Sequence, residues 1–211
     1  MVKNGVDISH SQAKVDLAQA KSSVDFIIHK ATEGLGITDP DFQQRWTQLR
    51  QLGIPRGAYH FARPENSWEA EADHFAQTVK TAGWGGKDVA ALDLETTGGL
   101  NAGRLNDWAT NFINRIREQL GDRILFYASL SFYLDQLGDP LVVPGAATLW
   151  IARYTTGYVY GPPLRRPKSA PDPPPIWQCS DGAHGCVHDV PGIGSVDYDH
   201  ATDQTFANLW G

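Results

Sequence analysis

The alternation of short β-rich runs with helix-length segments is the feature that most restricts how this chain can fold. Helical apolar spacing occurs at Ser11–Ala20, Pro40–Leu52, Ser67–Thr81, Ala102–Leu120 and, over a shorter stretch, Ser131–Leu137. Eight strand-length runs surround these segments, at Val6–Ser9, Phe26–Lys30, Gly57–Phe61, Val89–Glu95, Ile124–Ala128, Thr148–Tyr154, Ile176–Cys179 and Ser195–Tyr198. Repeated strand–helix alternation predicts parallel strands that are joined by right-handed crossovers.

Eight strands with only about five helices predict an α/β fold, a modified TIM-like barrel of the form (β/α)5(β)3 that is reduced in its last third. An open doubly wound sheet is the alternative. The 211 residues suffice for one buried core, so we expect a single domain over residues 1–211. The Pro-rich segment 155–175 has the composition of a linker, but too few residues follow it for a second domain. We interpret it as a surface loop beside a cleft.

Charge and hydropathy exclude several classes of partner. The chain carries 18 Lys and Arg against 24 Asp and Glu, a net charge of −6, which disfavours binding to nucleic-acid phosphates. No apolar run approaches the ~20 residues of a membrane span, and the N-terminus lacks the apolar core of a signal peptide. We therefore expect a monomer with no signal peptide and with neither nucleic acid nor membrane as a partner.

The two cysteines, Cys179 and Cys186, lie in a Gly-rich stretch. They form no C-x-x-C pair, and no second pair is present to complete a zinc site. We expect a local disulfide, with two free thiols as the alternative. His184 and His188 are near enough in sequence to suggest a metal site as a third interpretation, but we predict neither a metal nor a cofactor.

Acidic residues occur at the ends of three predicted strands. Asp93 and Glu95 end an otherwise apolar strand, and side chains two apart on a strand share a face with Cα atoms ~6.5 Å apart. Asp7 and Asp197 occupy the first and last strands. The carboxyl ends of barrel strands supply catalytic residues, so we expect the four acids to meet at one mouth; structural salt bridges are the alternative.

Paired carboxylates among aromatic side chains are what the hydrolysis of a glycosidic bond requires. One acid protonates the leaving oxygen, and the second group stabilises the cationic sugar or acts as a nucleophile. Flat rings offer apolar faces to sugars, although each ring could equally belong to the core. The candidates for substrate binding are Tyr59, Phe61, Tyr127, Trp150, Tyr154 and Trp177.

The chain resembles the glycoside hydrolase family 25 lysozymes, the Chalaropsis-type N-acetylmuramidases common among phage endolysins. The similar stretches are Gly5–His10, Phe26–Gly34, Asp39–Phe42, Gly57–Phe61, Leu92–Glu95, Leu149–Tyr154, Ile176–Gln178 and Val196-Asp197. The resemblance implies a flattened barrel that cleaves the β-1,4 bond from N-acetylmuramic acid to N-acetylglucosamine in bacterial peptidoglycan. It also implies a phage enzyme, made in the cytoplasm of an infected host and released to the wall, or one that is otherwise extracellular.

The resemblance also implies residue roles. Glu95 matches the general acid/base and Asp93 its partner, while Asp7 and Asp197 match two further acids of the cleft. Glu33, His60 and Tyr127 match secondary cleft residues. The chain departs from the family at Ser11, Asp199 and Cys179, where a Trp, an Asn and an aromatic residue are common. We expect both partial burial and the negative charge of Asp93 to raise the pKa of Glu95.

Three other functions fit parts of the pattern. A chitinase of the Asp-x-x-Asp-x-Asp-x-Glu type would use Asp88, Asp93 and Glu95, but its second acid falls on Ala91. A peptidoglycan amidase or peptidase would need zinc ligands or a Cys/His pair, and the seven histidines form no H-E-x-x-H motif. A catalytically silent carbohydrate-binding module would not need the Asp93 and Glu95 pair.

Overall fold

The computed structural model describes residues 2–157, 159–160, 165–186 and 188–211. The strands are β1 (Val2–Ile8), β2 (Phe26–Glu33), β3 (Ile37–Thr38), β4 (Arg56–Phe61), β5 (Val89–Asp93), β6 (Ile124–Ser129), β7 (Thr148–Ala152), β8 (Ile176–Asp181), β9 (Asp189–Val190), β10 (Gly194–Ser195) and β11 (Asp197–Thr202). The helices are α1 (Leu17–Ala20), α2 (Phe42–Leu52), α3 (Trp68–Thr81), α4 (Ala102–Leu120), α5 (Leu130–Asp135) and α6 (Asp203–Trp210), with a 3-10 turn at Pro144–Ala146. Among the described residues, no helix has both the length and the apolar character needed to cross a bilayer.

Eight of the strands close into a barrel in the order β1-β2-β4-β5-β6-β7-β8-β11. Neighbours from β1 to β8 are parallel, as the alternation predicts. The last strand, β11, is antiparallel to both β8 and β1 and closes the ring between them. The predicted modified barrel is therefore confirmed, and the open sheet is excluded. The described residues include six α-helices where about five were predicted, because α6 had no counterpart in the prediction.

Alternation along each strand divides the core into two layers. Odd positions of β5 and β6, such as Ala91 and Leu125, face the barrel interior together with Trp150 of β7. Even positions such as Leu92 face the helices and pack with the apolar stripe of α4, which includes Phe112. Because side chains alternate, the same rule decides which polar residues at the carboxyl ends point into the mouth.

The amino end of the barrel is closed by α6, which begins where Thr202 caps the backbone N–H of Thr205 at 3.1 Å. The Trp210 ring stacks on Phe26 with centroids 4.8 Å apart, and its Nε1 donates to the carbonyl of Arg56 at 2.9 Å. Phe26 and Arg56 are the first residues of β2 and β4, so α6 covers the end of the barrel opposite the carboxyl ends of the parallel strands.

The first helix is shorter than predicted. It occupies Leu17–Ala20 rather than Ser11–Ala20, because the Asp16 carboxylate caps Gln19 N at 3.0 Å and fixes the helix start. The preceding residues are held in a loop: Arg45 donates to the carbonyl of Gln12 at 2.8 Å.

The described part of the Pro-rich segment 155–175 packs on the barrel. Tyr160 and Ala170 are buried in the outer core, and the hydroxyl groups of Ser169 and Tyr133 lie 2.6 Å apart. Residues 158 and 161–164, including the Gly161-Pro162-Pro163 run, lie outside the described residues.

Cys179 and Cys186 form the expected disulfide, with Cα atoms 5.5 Å apart, so the free-thiol alternative is wrong. Cys179 is the extra residue of a β-bulge, since Ser180 pairs with Tyr198 and Gln178 with Asp199. The returning loop approaches β8 so closely that a Cβ on Gly185, whose φ is +82°, would overlap the Cys179 carbonyl oxygen.

Candidate active site

A cavity of about 240 Å³ opens at the carboxyl ends of the parallel strands. Its wall contains nine of the twelve residues predicted for the site: Asp7, Tyr59, Phe61, Asp93, Glu95, Tyr127, Trp150, Tyr154 and Asp197. Four lining residues had no predicted role: Ser9, Ser11, Lys30 and Gln178. The wall therefore combines four carboxyl groups, one ammonium group and five aromatic rings.

The four acids reach the mouth from different directions. Asp93 is the last residue of β5, and Glu95 follows two residues later, just outside the strand. Asp7 lies near the end of β1, directly opposite Asp197 in the register of β1 and β11. Because β11 is antiparallel, its first residue rather than its last lies at the mouth. The structure thus brings together the four acids that the strand-end pattern singled out.

Asp93 and Glu95 differ in burial, and burial raises the pKa of both. Asp93 is 6% exposed, whereas Glu95 is open to solvent at the mouth. Burial, followed by the charge of Glu95, raises the pKa of Asp93 well above its ordinary value. Burial also raises the pKa of Glu95, but a hydrogen bond with Asp93 and the charge of Lys30 lower it.

The expectation that Asp93 raises the pKa of Glu95 is therefore wrong in sign. The hydrogen bond between the two side chains raises the pKa of Asp93 and lowers that of Glu95. Burial is the part of the expectation that the structure supports. The two groups form a coupled pair that retains a proton above the ordinary range of carboxyl groups.

A chain of hydrogen bonds forms the floor of the cavity. The Tyr127 hydroxyl donates to Gln178 Oε1 at 2.8 Å, and Gln178 Nε2 donates to Asp7 Oδ2 at 2.6 Å. Trp150 Nε1 donates to Asp199 Oδ1 at 2.8 Å. The Asp199 side chain is fully buried, and its Oδ2 has no hydrogen-bond partner among the described residues. Neither Asp199 nor Gln178 is among the residues predicted for the site: Asp199 departs from the family pattern, and Gln178 lies in a stretch similar to the family.

The acids of the floor raise one another's pKa values. Burial, then the charges of Asp197 and Asp199, raise the pKa of Asp7 well above its ordinary value. Burial, then Asp181 and Glu95, raise the pKa of Asp197 to about 6. Burial likewise raises the pKa of Asp199, although the hydrogen bond from Trp150 opposes the shift. Neutral carboxyl groups at the floor reduce the repulsion that so many acids would otherwise produce.

Lys30 supplies the cationic group of the cavity wall. Its Nζ lies 2.6 Å from Glu33 Oε2 and 5.0 Å from the centroid of the Phe61 ring. Arg63 approaches the same ring at 4.8 Å and donates from Nε to Glu33 Oε1 at 3.0 Å. Although burial raises the pKa of Glu33, hydrogen bonds from Lys30 and Arg63 lower it below its ordinary value. Glu33 thus positions Lys30 and does not itself line the cavity.

Two predicted cleft residues point away from the mouth. His60 follows inward-facing Tyr59 on β4, so alternation turns its ring outward to a fully buried place beneath α3. There its nitrogens lie 2.7 Å from Thr32 Oγ1 and 2.8 Å from Glu71 Oε2. Trp177 precedes inward-facing Gln178 on β8, and its Nε1 donates to the Arg153 carbonyl at 3.0 Å. The placement of His60 and Trp177 in the cleft is therefore wrong.

The structure separates the acids of the chitinase-type pattern. Asp88 lies just before β5, at the amino end of the barrel, where it forms two hydrogen bonds of 2.8 Å with Arg56. Ala91 is packed in the barrel interior. Asp88 is therefore at the end of the strand opposite to Asp93 and Glu95.

Known proteins resemble this chain in both sequence and fold. The profile of Glycosyl hydrolases family 25 matches residues 6–184. The uncharacterized protein YegX of Escherichia coli K12 is 30% identical over 92% of this chain and 68% of its own length. An N,O-diacetylmuramidase from Chalaropsis sp. is 34% identical over 64% of this chain and 70% of its own length. The crystal structure of a lysozyme from Streptomyces coelicolor superposes with a TM-score of 0.81 and 27% identity, over 99% of this chain and 95% of that one.

The family profile extends from the first acid-bearing strand to the loop that follows β8, and so includes Asp7, Asp93 and Glu95. The structural match covers the whole barrel, including β11 and Asp197. Sequence and fold agree over most of the chain, and the cavity acids lie in the matched part. The chain belongs to glycosyl hydrolase family 25.

Proposed function

We propose that this protein is a lysozyme, a 1,4-β-N-acetylmuramidase that hydrolyses the bond between N-acetylmuramic acid and N-acetylglucosamine in bacterial peptidoglycan. The observation that carries the proposal is the Asp93 and Glu95 pair at the cavity mouth, with one acid buried and the other open to substrate. Membership of the family and the similarity to an N,O-diacetylmuramidase support the choice of bond.

In the proposed reaction, Glu95 is the general acid. The coupled pair retains one proton at pH values where an isolated carboxyl group would be ionised, and Glu95 is the member that a glycosidic oxygen can reach. Transfer of this proton to the leaving oxygen leaves negative charge on the pair beside the developing cation at the sugar carbon. Asp93 stabilises that cation, and Glu95 then accepts a proton from the water molecule whose oxygen bonds to the sugar carbon.

Asp7 and Asp197 have supporting roles in this proposal. Asp7 is held by Gln178, which is itself held by Tyr127, so the floor is rigid before the substrate arrives. Asp197 lies opposite Asp7, and burial raises its pKa to about 6, so its charge changes near that pH. We assign Asp7 and Asp197 to positioning the substrate and to setting the local charge.

The aromatic residues divide by exposure. Trp150 and Tyr127 are almost fully buried and contribute hydrogen bonds to the floor rather than faces to a sugar. Tyr154 is 42% exposed, and Tyr59 and Phe61 are half-buried in the wall. We propose that Tyr154, Tyr59 and Phe61 contact the sugar rings, because only their faces remain open to the cavity.

Digestion of purified peptidoglycan, followed by mass spectrometry of the soluble fragments, tests the proposal. We expect new reducing ends on N-acetylmuramic acid, and we expect the Glu95→Gln variant to release none above background. Reducing ends on N-acetylglucosamine, or free amino groups from the peptide stem, would show that a different bond is cut. Binding of wall material without release of fragments would favour the carbohydrate-binding module.

Three further expectations remain proposals: action on the cell wall after release from a phage-infected host or after export, a monomeric state, and a single catalytic domain over residues 1–211. Size-exclusion chromatography with light scattering tests the monomer. Limited proteolysis tests the single domain, because a resistant fragment shorter than the barrel would contradict it.

A further inference from the structure

We propose that Cys179, Cys186 and His200 form a zinc site when the disulfide is reduced. Each of the three residues offers one ligand atom, and these atoms lie within 4.8 Å of one another. Two thiolates and one imidazole are ligands that Zn²⁺ prefers in proteins, and a set of three leaves a fourth position for water.

The backbone holds both cysteines in place independently of the sulfur–sulfur bond. Cys186 N donates to the Cys179 carbonyl oxygen at 3.1 Å, and an antiparallel bridge joins Ser180 to Gly185. Cys179 is also fixed by the pairing of β8 with β11 on both sides of its bulge. Breaking the disulfide therefore releases two thiols that remain close to each other.

His200 has a hydrogen-bond partner at one ring nitrogen. It lies on β11, and its Nδ1 lies 3.0 Å from Asn4 Oδ1 on the adjacent strand β1. In the tautomer that donates from Nδ1 to this oxygen, Nε2 has the free lone pair. A histidine ligand usually donates from its second nitrogen in this way, which fixes the ring and the tautomer.

The chemistry balances with a phosphine as reductant. The phosphine supplies two electrons to the disulfide, and one water molecule supplies two hydrogens to the resulting thiols. The oxygen of that water molecule ends in the phosphine oxide. Binding of Zn²⁺ then displaces one proton from each thiol, and the neutral imidazole binds without proton loss. The disulfide joins only the returning loop to β8, whereas the metal would also join both to β11.

The experiment uses the whole chain in two redox states. The protein is reduced with a phosphine, desalted without oxygen and titrated with Co²⁺ as a spectroscopic probe and then with Zn²⁺ as its competitor. We expect the reduced chain to bind one metal ion with thiolate-to-cobalt charge-transfer absorption, to release about two protons, and to resist thiol labelling when loaded. We expect the oxidised chain to show none of these signals.

Two variants identify the nitrogen ligand. In the reduced state we expect His200→Gln to lower the affinity for Zn²⁺ by at least about tenfold, and Asn4→Ala to lower it about 10- to 100-fold. His184→Ala is the matched control, because His184 is exposed in the same loop and pairs with Asp181 instead; its affinity should not change. Circular dichroism of each reduced variant reports the fold.

Failure of the reduced, folded chain to bind a stoichiometric metal ion would overturn the proposal. So would equal affinities for His200→Gln and the unaltered chain, since two thiolates alone would then hold the metal. If reduction unfolds the chain, refolding on addition of Zn²⁺ supports the site, and absence of refolding contradicts it. None of these measurements depends on muramidase activity.

Discussion

Two walls of the barrel deliver acids to the same mouth by different means. The parallel wall, β4 to β6, presents Asp93 at the end of a regular strand between parallel neighbours. The antiparallel wall, β8 and β11, presents Asp197 from the start of a strand and contains a bulge and a disulfide. Strand direction determines which end of a strand faces the mouth, so a catalytic carboxylate can lie at either end.

The two walls also differ in the groups that surround their acids. On the parallel wall Asp93 and Glu95 share a proton near the cation of Lys30. On the antiparallel wall Asp199 is buried, and one of its oxygens has no hydrogen-bond partner in the described part of the chain. The comparison predicts that changes in the parallel wall affect mainly the rate, whereas changes in the antiparallel wall affect mainly stability and pH dependence.

The largest effect is expected for Glu95→Gln on the parallel wall. The amide keeps the shape of the side chain but cannot transfer the proton, so kcat should fall by roughly 10²- to 10⁴-fold. The measurement is the initial rate on purified peptidoglycan, and His184→Ala is the surface control. Near-full activity of Glu95→Gln would remove this residue as the acid.

Asp93→Asn should also be severe, with a loss of roughly 10²-fold or more, because the cation loses its stabilising charge. The pH–rate profile of the unaltered protein should be bell-shaped, and its basic limb reports loss of the pair's proton. In Asp93→Asn only Glu95 of the pair remains acidic. The basic limb of the variant should therefore lie at lower pH, since no second carboxylate then opposes the ionisation of Glu95. An unmoved limb would contradict the coupling of the pair.

On the antiparallel wall, the double variant Cys179→Ser and Cys186→Ser should fold but lose about 2–3 kcal/mol, the loop-closure contribution expected of a short loop. Urea unfolding under oxidising conditions measures this loss. The same comparison with a phosphine present is the control, because reduction should bring the unaltered chain close to the variant when no metal is added. A loss confined to activity would refute a stabilising role.

Asp197→Asn should lower kcat/KM by only about tenfold, as expected for a positioning group. Because the pKa of Asp197 is about 6, the ratio of variant to unaltered activity should change as pH crosses that value. The measurement is the complete pH–rate profile of both proteins. A constant ratio from pH 4 to 8 would show that the charge of Asp197 has no role.

The smallest effect is expected for Asp199→Asn, and it should be stabilising. Burial raises the pKa of Asp199 in the folded chain, so ionisation above the ordinary Asp value of about 3.9 costs folding free energy. The amide removes this cost and keeps an oxygen to accept from Trp150. Unfolding free energy should rise at pH 7, and the gain should vanish as pH falls towards 4. A gain that is independent of pH would point to packing instead.

The parallel wall could be predicted from the sequence more completely than the antiparallel one. Apolar alternation located every barrel strand from β2 to β8 to within a few residues, but not the two-residue strand β3, and the strand-end rule located Asp93 and Glu95. The same alternation could have excluded His60, because Tyr59 and Phe61 on either side of it face the cavity.

What the sequence could not supply depends on contacts distant along the chain. The direction of β11 follows from its pairing with both β1 and β8, and Asp199 becomes a buried acid only because Trp150 lies across the barrel. The sign of the effect of Asp93 on the pKa of Glu95 depends on the hydrogen bond between the two side chains, which the strand pattern does not show. The helix α6 was missed although Phe206, Leu209 and Trp210 have helical spacing.

The helix α6, which closes the amino end of the barrel, determines where the cavity faces when the protein is fused to a partner or attached to a surface. Trp210 is stacked beneath Phe26, so the final residue, Gly211, lies on the face opposite the cavity. A tag, linker or wall-binding partner fused after Gly211 would leave the mouth unobstructed. Attachment to a solid support through that end would orient the mouths towards the solution, where suspended bacterial walls could reach them.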